Sequence, residues 1–537
     1  MDFIFGTLTT NELRLLHHSL LRQGLQHAHT MTPLDPLPDQ PVTLTVRAGQ
    51  KLPVQDMAAY YTTDGSSPSG SRGVATNGQA VSLRCIDQEW DIPAWGYVAH
   101  WAGDIPGQPD NTTVRYRISA WTEGGDEYCA DWPDFAATVE RAAALSSRGK
   151  SLADLPFVVA PGGNVFTYHV DRFTTPLWAK NAVIYHIFVD RFYPGDGKKW
   201  QQTRDLHKFF GGTLWGVRDK LAYIADLGVD CLWLSPTWVS PTYHGYDIAD
   251  YYKTAPRLGG DEAMRALIEA AHARGIRVIL DLVCNHCSNK HPYFEEALNN
   301  LHSRYRDWFT FDDSEVGYRS FFGVKNMPKI NLENPEAAAW MIDIAQFWLR
   351  EFDADGYRLD YANGVGSNFW SGFRVACRQV KPDCFIFGEI IEAPSAQRAY
   401  VGRLDGLLDF HLEDALRKTY AWGAMTEAEF EQFARLHYAY FPPDFLMPTF
   451  LDNHDMDRFL FIAKNDKAAL RRAATAQFRL PGPPILYYGT EVGLSQQAGK
   501  SEGRGLEESR LPMLWGEEQD ADLLHFYREL IQARRRR

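Results

Sequence analysis

No apolar run in this chain reaches the length needed to span a bilayer. The opening residues, Met1 to Gly6, lack the basic stretch and long apolar core of a secretory leader, so no membrane partner is predicted. Positive charge is also short. Lys and Arg number 55 against 68 Asp and Glu, a net charge of −13, which argues against a nucleic-acid or anionic-membrane partner; the closing Arg534 to Arg537 run is too short to alter that. Cysteine is sparse. The seven are an odd number, scattered, and several fall in or beside apparent strands (Cys231, Cys284, Cys384), which excludes a disulfide framework and predicts a reducing, cytoplasmic location. Cys284-Asn-His-Cys287 has a C-x-x-C spacing, but with no second pair at metal-ligand spacing it predicts neither zinc nor redox chemistry.

What is present is an ordinary globular balance, 45% hydrophobic and 23% charged over 537 residues, too long for one simple core and so two or three domains. Aromatics are plentiful, with 16 Trp, 25 Tyr and 31 Phe; most must be core, and the rest suit a neutral ligand with planar faces, such as a sugar. Residues 1–40 are predicted as a helical segment, with Leu13, Leu15, Leu16, Leu20 and Leu21 on one broad stripe before a proline-rich break at Pro33, Pro36 and Pro38. His17, His18, His27 and His29 cluster there and are predicted at a solvated helix end. Over 41–172, short alternating runs (Val42–Arg47, Ala58–Thr62, Val114–Trp121, Phe166–Val170) separated by dense turn residues predict a β-sandwich, a carbohydrate-binding or dimerisation domain. Its Trp90, Trp95, Trp101 and Trp121 are either a sugar platform or sandwich core.

Over 173–537 the pattern becomes strand then helix, repeatedly. Eight candidate strands (Ala182–Val189, Cys231–Ser235, Arg277–Val283, Gly356–Asp360, Cys384–Glu389, Gly406–Phe410, Phe445–Asp452, Pro484–Tyr488) predict an α/β fold, a (β/α)₈ TIM barrel behind the N-terminal all-β sandwich. Asn334-Pro335-Glu336 reads as a helix N-cap, N1 proline and acidic first turn. An aromatic and polar insertion, 287–333, follows the third strand; it is far longer than an ordinary loop and is predicted to overhang the face where the βα loops lie.

Chemistry-bearing residues recur where these strands end. Alternation puts Arg358 and Asp360 on one face of the fourth strand, where a guanidinium is expected to lower the carboxylate's pKa and hold it ionised. The third strand ends in Asp281-Leu-Val-Cys-Asn285-His286, the fifth in Gly388-Glu389, and the seventh in Asp452-Asn453-His454-Asp455. Carboxylates from three strands can converge at one barrel face: one ionised nucleophile, one protonated acid, one to stabilise a cationic transition state. That division suits glycoside hydrolysis with retention.

Through Asp281-x-x-x-Asn285-His286, Gly356-x-Arg358-x-Asp360, Gly388-Glu389 and Asn453-His454-Asp455, supported by His244-Gly-Tyr246-Asp247 and Tyr488-Gly-Thr-Glu491, residues 178–530 resemble the α-amylase family of retaining glycoside hydrolases. The resemblance implies that Asp360 is the nucleophile, Glu389 the general acid/base and Asp455 the transition-state stabiliser, with Tyr246, His286, Arg358 and His454 binding the sugar beside the scissile bond. No cofactor is implied for the chemistry. A structural calcium is the one metal expected, with Asn285 as an oxygen ligand and Asp312 and Asp313 as candidate partners. Met327-Pro-Lys-Ile-Asn331 resembles the short motif of the neopullulanase, cyclomaltodextrinase and maltogenic-amylase branch, where an N-terminal β-domain is usual and often forms a homodimer.

Two departures from that branch matter. After Asp360 the chain reads Tyr361-Ala-Asn-Gly364 where the branch usually has Val-Ala-Asn-Glu, which removes a side chain from the acceptor side; typical α-amylases have Lys-His at positions 363 and 364, which points away from a plain α-amylase. The chain stops in the predicted helix from Leu523, so the family's C-terminal β-domain is expected to be absent. The leading expectation is an endo-type hydrolase of α-1,4-glucosidic bonds in malto-oligosaccharides, cyclodextrins, pullulan or starch. The alternatives are an α-glucan transglycosylase, which shares the glycosyl-enzyme, and a non-catalytic glycan-binding protein on the same barrel.

Overall fold

The computed structural model describes residues 3–4, 7–8, 15, 18, 24–92, 95–132, 163–500 and 505–536. They form two compact units, one of Met1–Phe173 with Trp370–Gly372 and Ile391–Arg403, the other of Thr174–Phe369, Phe373–Ile390 and Leu404–Arg537.

The first unit is built on antiparallel strands in the order Glu127–Cys129, Thr112–Trp121, Asp56–Thr62, Gln79–Asp91, Gly96–Ile105, Val42–Gly49 and Leu25–Gln26. Phe166–Val170 also pairs with Thr112–Trp121, and Met31–Thr32 with Val42–Gly49. Alternation buries Val42, Leu44 and Val46 against Tyr116, Ile118 and Tyr168, each fully buried aliphatic side chain contributing about 1.5–3 kcal/mol of gross stabilisation.

Two expectations fail in this unit. Of the helical segment predicted over 1–40, the stripe residues Leu13, Leu16, Leu20 and Leu21 lie outside the described residues, while Leu25–Gln26 and Met31–Thr32 are strands. His27 and His29 are buried, not solvated. His27 Nε2 lies 2.7 Å from the Tyr116 hydroxyl and its Nδ1 2.9 Å from the Thr45 carbonyl, and Arg403 Nη2 lies 2.8 Å from His29 Nδ1. Burial pushes the His27 pKa down to about 4 and that of His29 down as well, so these two pack as neutral imidazoles. The four tryptophans divide: Trp101 is core and Trp121 half-buried, whereas Trp90 and Trp95 are exposed.

In the second unit seven parallel strands run in the order Gly406–Leu407, Phe385–Gly388, Gly356–Asp360, Arg277–Val283, Cys231–Leu234, Ile184–Ile187 and Ile485–Tyr487. The segment read as the remaining strand closes the ring through two isolated parallel bridges, Gly406 to Leu446 and Thr449 to Pro484. The barrel is therefore complete, with Pro448 unable to donate a ladder hydrogen bond between those bridges. Gly356 is obligatory where the fourth strand begins: its φ is +148°, and a Cβ there would fall 1.9 Å from the Phe385 carbonyl oxygen. The helix Pro335–Glu351 starts as its sequence predicts, Asn334 Oδ1 accepting from the Glu336 and Ala337 amides at 3.0 and 3.1 Å. The insertion after the third strand holds one short α-helix, Pro292–Asn299, two 3-10 turns, Arg306–Trp308 and Phe321–Gly323, and a set of isolated bridges that return the chain to His286 through Lys329.

Candidate active site

Parallel register assembles the site. Asp281 stands opposite Arg358, and Val283 opposite Asp360; Leu359 stands opposite Gly388, which places Glu389 one step beyond the fifth strand. Arg358 is fully buried, and its guanidinium reaches carboxylates from three strands. Nη1 donates to Asp281 Oδ1 at 2.7 Å and to Asp360 Oδ1 at 2.9 Å. Nη2 lies 2.7 Å from Glu389 Oε1, an ion pair without an aligned hydrogen bond. Glu389 Oε2 accepts from the Tyr361 amide at 3.1 Å.

A second cluster completes the site. His454 Nε2 lies 2.9 Å from Asp455 Oδ2 and 2.6 Å from the Tyr246 hydroxyl, which donates to Asp281 Oδ2 at 2.9 Å. Tyr246 and His454 stack, with ring planes 3° apart. The structure thus links Tyr246, Arg358, Asp360, Glu389, His454 and Asp455 through Asp281. His286 is buried, its ring stacked on Phe321 at 4.7 Å, and burial holds its pKa down at about 3.

The charges in this site are unevenly compensated. For Asp455, burial would raise the pKa, but His454, Arg510 and Arg358 outweigh it and hold the carboxyl well below the usual range. For Glu389, burial dominates over Arg358, and Asp455 adds to it, raising the pKa to about 7. For Asp360, burial and the neighbouring Glu389, Asp281 and Asp455 outweigh Arg358 and push the carboxyl up. That last direction reverses the expectation that Arg358 alone holds Asp360 ionised: one guanidinium is shared among three carboxylates. Asp360 and Glu389 are thus both raised, and with one guanidinium between them the ionisation of either disfavours that of the other.

Sequence reasoning missed Arg510, Trp233 and His186. Arg510 donates to Asp455 Oδ1 at 2.8 Å and to the His454 carbonyl at 2.7 Å; it lies beyond the last strand in no motif, so no spacing signals it. Trp233 donates to Asp281 Oδ2 at 3.0 Å, and His186 stacks on its ring at 3.6 Å. Trp233 sits inside a strand that reads simply as core, and the segment Tyr185–Arg191 resembles the family without implying a role for His186.

Asn285 Oδ1 is buried and accepts no hydrogen bond, as a cation ligand would. Among the described residues no three His, Cys, Asp or Glu side chains converge on a metal. Asp312 and Asp313 are exposed, Asp312 already accepting from the Ser314 amide at 3.1 Å. The Asn285 oxygen faces Gly364. All seven cysteines are free, and no described helix is long and apolar enough to cross a membrane.

Comparison with known proteins agrees with this geometry. Residues 186–524 match the model of the α-amylase catalytic domain. The chain is 42% identical over 369 residues to alpha-amylase 2 of Dictyoglomus thermophilum, covering 68% of this chain and 65% of that protein. It is 36% identical over 391 residues to neopullulanase 2 of Thermoactinomyces vulgaris, covering 69% and 65%. A solved cyclomaltodextrinase superposes with TM-score 0.64 at 26% identity, covering 96% of this chain and 85% of that one. The matched stretch spans about 65% of the length of these curated relatives. With a family match over more than half of its length and a closed barrel of the same architecture, the chain belongs to the α-amylase family.

Proposed function

We propose that this chain hydrolyses α-1,4-glucosidic bonds in malto-oligosaccharides, cyclodextrins, pullulan or starch with retention of configuration. The observation that carries the reading is the single Arg358 guanidinium holding Asp360 and Glu389 on its two prongs. This arrangement favours the short gap of a retaining pair, about 5–5.5 Å, over the ~6.5–9.5 Å of an inverting pair. Glu389, almost inaccessible and with its pKa raised to about 7, is the acid that gives a proton to the glycosidic oxygen. Asp360, oriented by its hydrogen bond from Arg358, attacks the anomeric carbon and forms the glycosyl ester. Asp455, kept negative by His454 and Arg510, faces the cationic transition state. Glu389 then removes a proton from water, which displaces Asp360. Tyr246, His286, Arg358 and His454 surround the sugar beside the cleaved bond.

The test is a product profile on maltotriose, cyclodextrin, pullulan and starch, with proton NMR of the first-formed anomer. An α-anomer is expected; a β-anomer before mutarotation removes Asp360 from the nucleophile role, and no turnover on any α-glucan leaves a glycan-binding barrel. Two further parts of the reading are a cytoplasmic location, supported by the free cysteines and by a relative named intracellular maltogenic amylase, and a homodimer. A single monomeric species in sedimentation at micromolar concentration removes the dimer.

A further inference from the structure

Two bulky aromatic residues beside the carboxylates have backbone angles that such residues rarely adopt. Tyr361, directly after Asp360, has φ 40° and ψ 51°, and Phe322, in the insertion, has φ 47° and ψ 33°. Left-handed backbone at an aromatic residue costs of order 1–3 kcal/mol and persists only where surrounding structure enforces it. The two residues touch. Their ring centroids are 5.2 Å apart, and Phe321 lies 5.1 Å from Tyr361 and 4.5 Å from Phe322. Phe322 is 44% exposed, and Tyr361 and Phe321 are half-buried, so this cluster is not core.

Gly364 makes the arrangement fit. A Cβ at 364 would fall 2.5 Å from Tyr361 Cε1 and 2.4 Å from Asn285 Oδ1. The tyrosine ring therefore fills space that any side chain at 364 would need, and Tyr361 and Gly364 act as a matched pair. The cluster also has a defined side. Tyr361 donates its amide to Glu389, and a general acid must stand at the leaving oxygen, so rings packed around Tyr361 lie on the side where the leaving sugar departs and an acceptor sugar enters.

Resting on the function proposed above, we propose that Tyr361, with Phe322 against it, is a specificity-determining platform for an acceptor glucosyl residue, recognised by stacking on its apolar face instead of by a side chain at 364. In the step it favours, the bond between the anomeric carbon and Asp360 breaks as a bond to the acceptor hydroxyl oxygen forms. Glu389 takes the hydroxyl proton, and Asp360 leaves as a carboxylate. Stacking reads a sugar's face and not its hydroxyl pattern, so acceptors joined through different hydroxyls are used together.

The experiment uses the full chain with 4-nitrophenyl α-maltoside as donor, and maltose or methanol as competing acceptor. Aryl release counts turnovers, and chromatography counts transfer against hydrolysis. Tyr361→Asn and Phe322→Asn remove each ring while keeping a residue that tolerates left-handed backbone. The expected result is a fall of about tenfold in the maltose transfer-to-hydrolysis ratio for Tyr361→Asn, a smaller fall for Phe322→Asn, and no change in the methanol ratio. These ratios do not depend on how fast the first step runs. Because Phe322 is an exposed side chain outside the core, its variant reports even where Tyr361→Asn fails to fold. Aryl release with unchanged maltose ratios in the folded variants overturns the inference alone, as does an equal fall for methanol, which would mark general damage. No aryl release from the wild type, with no product from any α-glucan, overturns the proposed function and this inference with it.

Discussion

Asp355 and Asp360 stand at opposite ends of one strand, and both are buried. Asp355, at the entry, is surrounded by cations and donors: Arg277 Nη1 at 2.8 Å, His272 Nε2 at 2.6 Å, Lys381 Nζ at 3.0 Å and the Val278 amide at 2.8 Å. Burial would raise its pKa, but His272, Lys381 and Arg277 outweigh burial and hold it at about 2. Asp360, at the exit, shares one guanidinium with two other carboxylates, and its pKa is pushed up. One end of the strand has cations to spare and the other has too few. A barrel places stability at the entry face and chemistry at the exit face, and here that division is made by counting charges around two identical side chains.

The sharpest way to break the comparison is the same isosteric change at both ends. Asp360→Asn removes the nucleophile and is expected to lower turnover by roughly 10⁴-fold or more. It also relieves repulsion among crowded carboxylates, so the melting temperature should hold or rise. Glu389→Ala is expected to cost about 10²–10⁴-fold on starch and far less on a donor with a good leaving group, which needs no proton. Added azide should attack the glycosyl ester without a general base and give an α-glycosyl azide, identified by NMR. Full activity in either variant on starch would break the assignment of the exit face.

Asp355→Asn should do the reverse. It strips the carboxylate from Arg277, Lys381 and His272, and breaking a buried ion pair costs about 3–5 kcal/mol. The urea midpoint should fall accordingly, with turnover per folded molecule unchanged. An equal loss of specific activity would mean that the two ends are not separable.

How much of this was legible follows from what each residue depends on. The acids were readable because parallel barrel strands are apolar runs: Asp281 interrupts one, Glu389 directly follows one, and Asp360 and Asp455 close the short spacings Arg358-x-Asp360 and Asn453-His454-Asp455 at strand ends. The sharing of Arg358 was not readable, since it arises from the cross-strand register that sets Asp281 opposite Arg358. Arg510 belongs to no motif and reaches His454 across 56 residues of chain. The N-terminal unit was harder. Leu25–Gln26 and Met31–Thr32 are too short to show a period, and the long pair Gln79–Asp91 and Gly96–Ile105 escaped because Gln79–Asp91 is exposed along most of its length. The burial of His29 depends on Arg403, 374 residues away.

pH separates the two ends by a smaller but signed effect. Glu389 must be protonated to act as acid, so kcat/KM should fall with rising pH through a limb near its pKa of about 7. Asp355 has a folded-state pKa depressed from 3.8 to about 2. Its contribution to stability is therefore complete above pH 3.8 and is lost as pH falls toward 2. The wild-type unfolding midpoint should drop across that window, and Asp355→Asn should flatten the drop. Activity would then change near neutrality with stability untouched, and stability would change in acid where the site has already stopped working.

The smallest expected effect tests the charge count itself. A calcium ion at Asn285 would place two positive charges close to Gly364 and the carboxylates, and the shortage of cations at the exit face would disappear. The oxygen there accepts no hydrogen bond, yet among the described residues no three His, Cys, Asp or Glu side chains converge on a metal. Calcium favours several oxygen ligands, carboxylates prominent among them, so one carboxamide is a poor site. Dialysis against excess chelator is therefore expected to leave both the melting temperature and the basic limb of the pH profile unchanged. A resident ion at a thousand times its Kd would contribute about 4 kcal/mol of stability, and its removal would be plain in a melt. A chelator-induced fall in melting temperature, together with a limb moved to higher pH, would show that a cation had been lowering the pKa of Glu389. Asp360 would then have been as well compensated as Asp355.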